Sequence, residues 1–576
     1  MPVQNAEIAA VFIEIADLLE IEGANPFRIR AYRHAARTIG DLGRSVQAMV
    51  AQGADLDALP GIGPDLAGRI TEIVNTGRCA LLERLRKELP PAITELLKVP
   101  GLGPKRVRAL HHELGVHTLE DLHQAALAGR VEAIPGFGAK TQQAILEATA
   151  PRAAEPRRVP LGEASQAAVS LLAALAATPG VERAEAAGSL RRRKDTVGDL
   201  DLLATVRGTS PVMERFVRHE GVRQVLAAGP TRASVVLKTG LQVDLRVVEA
   251  GSLGAALVYF TGSKAHNIAL RRLAQGHGLK INEYGVFKGR QRVAGDTEES
   301  VYRAVGLPWI EPELREDRGE IEAARAGRLP QLVQRSDLRG DLHLHTRDSD
   351  GHDRLPAMAE AARACGLEYI AVTDHSRRLT VTHGLDPVRL AKQIDAIDRF
   401  NESGARVTVL KGIEVDILDD GTLDLPDSIL QRLDLVVGAV HHRFDLPRAR
   451  QTERILRAME QRYFSVLAHP TGRLIGEREP YDVDLLRILR AAKQRGCFVE
   501  LNAQPARLDL TDTACQMAKA EGVLVAIGSD AHSTLDFDHL ELAIGQARRG
   551  WLEKADVLNT RSLRELRPLL ARTMAG

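Results

Sequence analysis

Cysteine is scarce: the 576 residues hold four, Cys79, Cys365, Cys497 and Cys515, far apart and never as a CxxC pair. That disfavours both a disulfide framework and a cysteine-bound zinc, and it fits a reducing cytoplasm. A surplus of either charge is also missing. Lys+Arg 77 against Asp+Glu 76 leaves a formal net charge of +1, so any contact with nucleic acid has to be local. No stretch approaches the ~18 consecutive apolar residues of a membrane-spanning helix. The opening MPVQNAEIAAVFIEIADLLE carries acids and lacks a basic region before its apolar run, unlike an export signal. A soluble, unexported, cytoplasmic protein is expected. Hydrophobic residues at 44% and charged residues at 27% are those of an ordinary globular chain. The length is about four times the ~150 residues of one domain, so several domains are expected.

One pattern occurs three times near the amino terminus, as LPGIGPDLAGRI (59–70), VPGLGPKRVRAL (99–110) and IPGFGAKTQQAI (134–145). Each reads apolar-Pro-Gly-apolar-Gly and then helix-compatible residues. The glycines Gly61 and Gly63, Gly101 and Gly103, Gly136 and Gly138 permit a tight turn, and N–H groups at the following helix start can face a phosphate. This resembles the helix-hairpin-helix motif, which implies a grip on the DNA backbone without sequence readout; Lys105 and Lys140 join the glycines as candidate DNA contacts. Flanking segments read as amphipathic helices, with Arg28, Arg30, Arg33 and Arg37 as a candidate basic face.

After a Pro/Arg/Glu-rich link, PRAAEPRRVP (151–160), the texture changes to short Val/Leu-rich runs between helices. In AGSLRRRKDTVGDLDLLATV, Asp199 and Asp201 are one residue apart and run into a strand, whose period of two puts both carboxylates on one face. Two anions on one face need a cation, and hard oxygen ligands favour magnesium or manganese. Asp244, in the apolar run LQVDLRVV, is a third candidate; three carboxylates suit two metals in a phosphoryl-transfer site.

Gly188-Ser189, then Gly198-Asp199-Leu200-Asp201, then Asp244, resemble the nucleotidyltransferase superfamily. With TGSKAHNIALRRLAQGHGLKINEYGVF after Val258-Tyr259-Phe260 and the hairpins upstream, residues 1 to about 325 resemble DNA polymerase family X. The resemblance implies that Asp199, Asp201 and Asp244 are catalytic and bind two metals, and that Ser189, Arg192 and Gly198 contact the triphosphate of the incoming nucleotide. It further implies that Tyr259, Phe260, Thr261 and Gly262 lie against the sugar, with Asn267 near the base. Lys264 stands where better-known animal relatives carry an acid; a cation there is expected to approach the base or phosphates of the nucleotide and strengthen its binding, the alternative being a solvent-facing lysine. In relatives that excise 5′-deoxyribose phosphate, a lysine follows the first hairpin; here that position is Arg69, with Asp65 on the same helix, so little lyase activity is expected through this route.

From Gly340 onward strand-like runs alternate with helical segments, as LEYIAVTDH, RVTVLKGIEVDI, LDLVVGAVHHR, FSVLAHP, CFVELNA and GVLVAIGSDAH. Parallel strands in a barrel-like α/β domain follow. Most runs end in His, Asp or Glu: His343, His345, Asp350, His375, Glu414, His441, His469, Asp530 and His532. Carboxyl ends of barrel strands converge on one mouth, and nine donors are too many for one ion. The cluster resembles the PHP (polymerase and histidinol phosphatase) domain, which implies a distorted seven-stranded α/β barrel, manganese, zinc or iron in a two- or three-metal site, and 3′–5′ exonuclease chemistry. His352, His383 and His442 fall outside the ligand positions; Arg443 is a candidate phosphate contact.

The fold expected is multidomain α/β: a helical helix-hairpin-helix region, a nucleotidyltransferase palm with thumb, and a distorted (β/α)7 PHP barrel. The division is 1–90 helical with the first hairpin, 91–155 a fingers-like hairpin region, 156–250 palm, 251–325 thumb, 326–339 linker and 340–576 PHP domain. The function expected is a monomeric DNA repair polymerase that fills short gaps with deoxynucleoside triphosphates, joined to a metal nuclease. A DNA-end scaffold with a structural PHP domain, and a phosphatase of small phosphate esters, stay open as alternatives.

Overall fold

A computed structural model describes residues 5–42, 44–88, 93–97, 99, 101–149 and 158–575. Most of the link 151–160, and the boundary expected near residue 90, lie outside them. The chain divides into two compact units, Met1–Arg157 with Lys238–Gly240, and Arg158–Leu237 with Leu241–Gly576. Among the described residues no helix is long and apolar enough to cross a membrane.

The first unit is helical. Helices α1 (Asn5–Glu22) and α2 (Pro26–Asp41) bury Ile8, Phe12, Ile15, Tyr32, Ala35 and Ile39, with Phe12 edge-on to Tyr32 at 5.4 Å. The three repeats form one local structure. In each, the apolar residue before Pro-Gly accepts a bond from the residue after it: Ile62 N to Leu59 O at 3.1 Å, Leu102 N to Val99 O at 3.0 Å and Phe137 N to Ile134 O at 3.0 Å. The glycine between sits at φ 66°, 83° and 89° for Gly61, Gly101 and Gly136. Pro at the second and Gly at the third position of such a turn match type II, whose third residue requires positive φ. Helices α3 (Pro64–Thr76), α4 (Pro104–Leu114) and α5 (Ala139–Thr149) follow.

The second unit holds two sheets' worth of chemistry. Five strands, β1 (Val181–Ala186), β2 (Asp199–Val206), β3 (Val222–Ala228), β4 (Arg232–Leu237) and β5 (Gln242–Val247), lie in the order β1-β2-β5-β4-β3. Only β2 and β5 are parallel. Strand alternation divides β2: Leu200, Leu202 and Ala204 pack into the core with Ala164, Ala167 and Leu171 of the helix Leu161–Ala176. Leu203, on the aspartate face, instead packs with Leu253, Ala256 and Leu257. These last belong to the helix Leu253–Thr261, which is followed by Lys264–Gly276 and a three-stranded antiparallel sheet from Lys280 to Ala294.

Eight parallel strands follow: β6 (Gly340–Leu344), β7 (Tyr369–Val372), β8 (Thr408–Lys411), β9 (Glu414–Asp416), β10 (Val437–Ala439), β11 (Val466–Leu467), β12 (Phe498–Asn502) and β13 (Val525–Gly528). They pair as β6-β7-β8 and β9-β10-β11-β12-β13. Strands β8 and β9 are one run broken at Gly412, where a Cβ would meet the Val372 carbonyl at 2.8 Å. The break leaves seven staves. Parallel bridges His375–Glu414 and Leu344–Ala531 tie the two sheets at both seams, which closes a barrel with irregular pairing. Alternate residues serve two cores. Tyr369, Ala371, Val437, Phe498 and Ala526 cluster with Leu566 and Leu570 of the last helix, while Ile370, Val372, Val499, Leu501 and Ile527 cluster with the flanking helices.

Candidate metal centres

The parallel pairing of β2 with β5 decides the palm site, because its register sets Asp201 directly opposite Asp244, with Asp199 opposite Gln242. Directly opposed side chains are ~5 Å apart at Cβ. Asp244 is buried and accepts from the Ser234 hydroxyl and from Gln242 Nε2 at 3.2 Å. Burial, with Asp199 and Asp244 close by, pushes the Asp201 carboxyl up to about 7. Two opposed carboxylates, one driven toward protonation, are a donor set that a divalent cation satisfies. Gly188 is required beside them. It adopts φ 62°, and a Cβ there would lie 2.5 Å from Asp201 Oδ2. Next to it, the buried Ser189 Oγ has no hydrogen-bond partner, as suits a hydroxyl whose acceptor is a substrate.

Arg192, expected at the triphosphate, is paired with protein groups in this structure. Its Nε bonds Glu316 Oε1 at 2.9 Å, and Nη1 donates to the Thr261 carbonyl. The neighbouring Arg191 grips Glu298 through two bonds at 2.8 and 2.7 Å. Against burial, Arg191 and Arg315 hold the Glu298 carboxyl down to about 2. Tyr259 and Phe260 meet edge to face at 5.0 Å, Arg246 stacks 4.5 Å over Phe260, and Asn267 Nδ2 donates to the Tyr259 carbonyl at 2.6 Å. Gly262 ends the helix at φ 70°. Lys264 is exposed at the first position of the next helix. Gly198 lies against the Arg158 guanidinium, 3.1 Å from where its Cβ would be.

The nine barrel residues expected as ligands lie together in three overlapping groups, with His375 Nδ1 2.7 Å from Glu414 Oε2 as a link between them. At the first, His343 Nε2 and His345 Nε2 are each 3.7 Å from Glu414 Oε2, and 3.7 and 3.1 Å from Asp530 Oδ1. At the second, the other oxygen of the same glutamate, Oε1, faces His441 Nε2 at 3.2 Å and His469 Nε2 at 2.9 Å. At the third, Asp350 Oδ2 lies 3.5 Å from both His375 Nε2 and His532 Nε2. All nine expected donors are therefore together. Among the described residues, groups with one ligand atom each within 4.8 Å of one another occur here, and Asp199, Asp201 and Asp244 are not so tightly drawn. His469 and Asp530 take positive φ, 26° and 53°, conformations that persist where surrounding structure enforces them. Against burial, His375, His441 and His343 hold Glu414 well below the carboxylate range. His345 is lowered as well, to about 4, through burial and the nearby His532 and His375. Nitrogen and carboxylate donors at this density suit two or three divalent ions, and His345 Nδ1 and His469 Nδ1 are buried without partners.

Behind the ligands stands a set of acids that the sequence analysis missed. Glu500 accepts from His343 Nδ1 at 2.6 Å and from the His469 amide at 2.7 Å. Asp416 meets His441 Nδ1 at 3.1 Å, and Asn502 donates to Asp530 Oδ2 at 3.0 Å. Such partners fix which imidazole nitrogen faces the ion. The only sequence signal was an acid within an apolar run, Glu500 in CFVELNA, and the structure shows that whole strand, β12, to be buried. His352, His383 and His442 stay outside the three groups; His442 instead meets Asp419 at 2.9 Å. Arg443 is half exposed, 4.0 Å from Asp419.

In the first unit, helices α3 and α4 start at Gly63 and Gly103 with no side-chain cap, which leaves first-turn N–H groups for an anion. Gly138 precedes α5, and Lys105 and Lys140 are exposed. Arg28, Arg30, Arg33 and Arg37 are all exposed on α2, although Arg33 pairs with Asp17 and Glu20. Arg69 is bound through two bonds, at 3.2 and 3.0 Å, by Asp65.

Family models match for a helix-hairpin-helix domain (residues 3–79), a SAM-like helix-hairpin-helix tandem (93–150), a DNA polymerase beta thumb (256–316) and a PHP domain (341–504). The chain is 37% identical over 570 residues to DNA polymerase/3′-5′ exonuclease PolX of Bacillus subtilis (strain 168), covering 98% of this chain and 99% of that one. It is 31% identical over 232 residues, 38% of this chain and 89% of the relative, to a probable phosphatase of Thermoanaerobacter sp. (strain X514). To DNA polymerase lambda of Rattus norvegicus it is 28% identical over 291 residues, 45% of this chain and 48% of that one. With likeness to a PolX extending over nearly its whole length, the chain belongs to DNA polymerase family X, in the form that carries a C-terminal PHP domain.

Proposed function

We propose that the chain is a DNA-directed DNA polymerase that fills short gaps in DNA repair and trims 3′ ends with its PHP domain. The observation that supports this reading is that one chain sets Asp201 opposite Asp244 on β2 and β5 and, separately, draws the histidines and acids of the barrel together. In the palm, Asp199, Asp201 and Asp244 would hold magnesium or manganese; in the barrel, His343, His345, Asp350, His375, Glu414, His441, His469, Asp530 and His532 would hold two or three ions of manganese, zinc or iron. When bound, such ions neutralise phosphate charge and polarise the attacking and leaving oxygens. The chain's own groups do the rest. Ser189, Arg192 and the Gly198 amide hold the triphosphate, Tyr259 to Gly262 shape the sugar pocket, and Asn267 and Lys264 lie toward the base and phosphates. The primer 3′-hydroxyl attacks the α-phosphorus and pyrophosphate leaves. The helix starts at Gly63, Gly103 and Gly138, with Gly61, Gly101, Gly136, Lys105 and Lys140, grip the backbone of gapped DNA. The division into helical regions, palm, thumb, linker and PHP domain is kept as read from the sequence, as are a monomer and a cytoplasmic location.

The test is primer extension and primer degradation on gapped DNA, with magnesium and with manganese, for the unaltered protein, Asp201→Ala and His345→Ala. Asp201→Ala abolishes incorporation and keeps degradation; His345→Ala does the reverse. Loss of both activities in a folded Asp201→Ala protein defeats the two-site reading. Because barrel relatives are named probable phosphatases, a small phosphomonoester belongs in the same assay: turnover of it without DNA degradation would make the barrel a phosphatase.

A further inference from the structure

Glu316 is shared between two domains. Its Oε1 accepts from Arg192 Nε at 2.9 Å and also from Arg549 Nη1 at 3.0 Å. Arg549 ends the barrel helix Leu540–Arg549 and is almost wholly buried, its side chain 1% exposed. The same Nη1 donates to the Arg192 carbonyl at 2.7 Å, and Nη2 bonds Asp512 Oδ2 at 2.6 Å, an oxygen that Arg318 also meets at 3.1 Å. The barrel grips the rest of this palm segment as well. Arg193 pairs with Glu541 at 3.1 Å, and Asp195 pairs with Arg473 at 2.8 Å. Every one of these contacts lies within the second unit.

The arrangement poses an exchange problem. Arg192, in the ion pair, already has a carboxylate, and a triphosphate has to replace it. Freeing Arg192 from a mostly buried Glu316 would strand an anion, which is strongly destabilising when no other cation is at hand. Arg549 is that cation, bonded to the same oxygen and anchored by Asp512. We infer that Arg549 is a positioning residue of the polymerase reaction: the barrel holds Glu316 when Arg192 turns to an incoming nucleoside triphosphate, and so sets nucleotide affinity from outside the palm. This rests on the reading that Arg192 binds the triphosphate.

The experiment measures KM for the nucleotide and kcat on gapped DNA in the full chain, for Arg192→Ala, Arg549→Met, Arg549→Lys, Glu316→Gln and the pair Arg549→Met with Glu316→Gln. Exonuclease activity reports an intact barrel. Arg192→Ala and Arg549→Met each raise KM about tenfold, with kcat within about threefold, as for an interaction made in ground and transition state alike. Arg549→Lys, which keeps the charge but loses the fork, falls between. Glu316→Gln lowers KM, and in the pair it brings KM back to within about threefold of its own value, a coupling a merely structural arginine would not show. An unchanged KM in Arg192→Ala overturns the underlying reading of the site. A raised KM there with an unchanged one in Arg549→Met, or a pair as impaired as Arg549→Met alone, overturns the coupling. If Arg549→Met loses exonuclease activity, Glu316→Gln decides: an unchanged or raised KM overturns the inference.

Discussion

In the palm, three aspartates stand on two neighbouring strands with no imidazole among them; in the barrel, six histidines are interleaved with three acids drawn from the ends of six of the seven staves. The difference shows in the protons. Asp201 is pushed up to about 7 by burial and its fellow carboxylates. Against the same burial, Glu414 and Asp530 are held well below the usual range by the histidines that face them. One centre is a concentrated negative charge that a cation and a substrate complete. In the other, the acids face imidazoles, and an ion binding there would displace protons from those whose values are raised, His343, His375, His441 and His532.

The largest effect should come from the residue that joins two barrel centres. Glu414 turns Oε2 to His343 and His345 and Oε1 to His441 and His469. Glu414→Gln should lower exonuclease activity by about 10³-fold, the scale of a lost catalytic ion and its electrostatic work. Incorporation should stay within about twofold, since distant sites act independently. Metal content measured on the purified protein should fall to at most the ion at Asp350, whereas Asp350→Asn should lose that ion and keep the others. Equal metal loss from both variants would mean that the three centres are not separable.

Next in size are the acids behind the ligands. Asp416→Asn and Glu500→Gln keep shape and remove the acceptors that orient His441 and His343. Metal affinity or exonuclease activity should fall ~10–100-fold, measured by competition with a chelator. Unchanged affinity in both would show that the barrel's close packing alone orients its imidazoles.

These acids also mark how far the sequence could be read. The nine candidate ligands were legible because most of them interrupt or end an apolar run, and barrel topology then brings run ends together whatever their separation in the chain. Asp416 and Glu500 were hidden by their setting: in GIEVDI the candidate ligand Glu414 and its support Asp416 are two residues apart on one strand and read alike, and in FVELN nothing local marks Glu500 as a partner for a histidine 157 residues away. The hairpins were legible because Pro-Gly specifies its turn locally. The break at Gly412 was not, since RVTVLKGIEVDI reads as one strand and the interruption comes from a close approach to the Val372 carbonyl. Nor was the partner of Arg192. The arginine run was visible, but Glu316 and Arg549 are 124 and 357 residues away, and such pairs are set by domain packing.

A smaller effect tests the palm's geometry. Gly188→Ala places a methyl 2.5 Å from Asp201 Oδ2 at a residue held at φ 62°. Strain of this kind costs ~1–3 kcal/mol, so incorporation should drop about tenfold or more while degradation is unchanged. Full incorporation would show that Asp201 has room to move without losing its role.

The smallest expected effect concerns stability, and its sign separates the two centres. Asp201 is a carboxyl whose folded value, about 7, lies above its ordinary 3.8, so the folded state holds its proton more tightly than the unfolded chain. The stability this confers is fully present below pH ~4 and is lost as pH rises through ~7. In metal-free protein, Asp201→Asn should therefore raise the thermal midpoint of the transition that includes the palm at pH 8 and leave it nearly unchanged at pH 4. The gain at pH 8 should be on the order of 1–3 kcal/mol. Added manganese or magnesium should erase the difference by stabilising the unaltered protein, because the ion answers the same repulsion. Asp530→Asn should do the opposite in the metal-free state: His343 and His345 would lose the anion that faces them, and the barrel should become less stable at pH 8. A metal-free Asp201→Asn protein no more stable than the unaltered one at pH 8 would mean that the palm carboxylates are already relieved without an ion, and the contrast between the centres would fail.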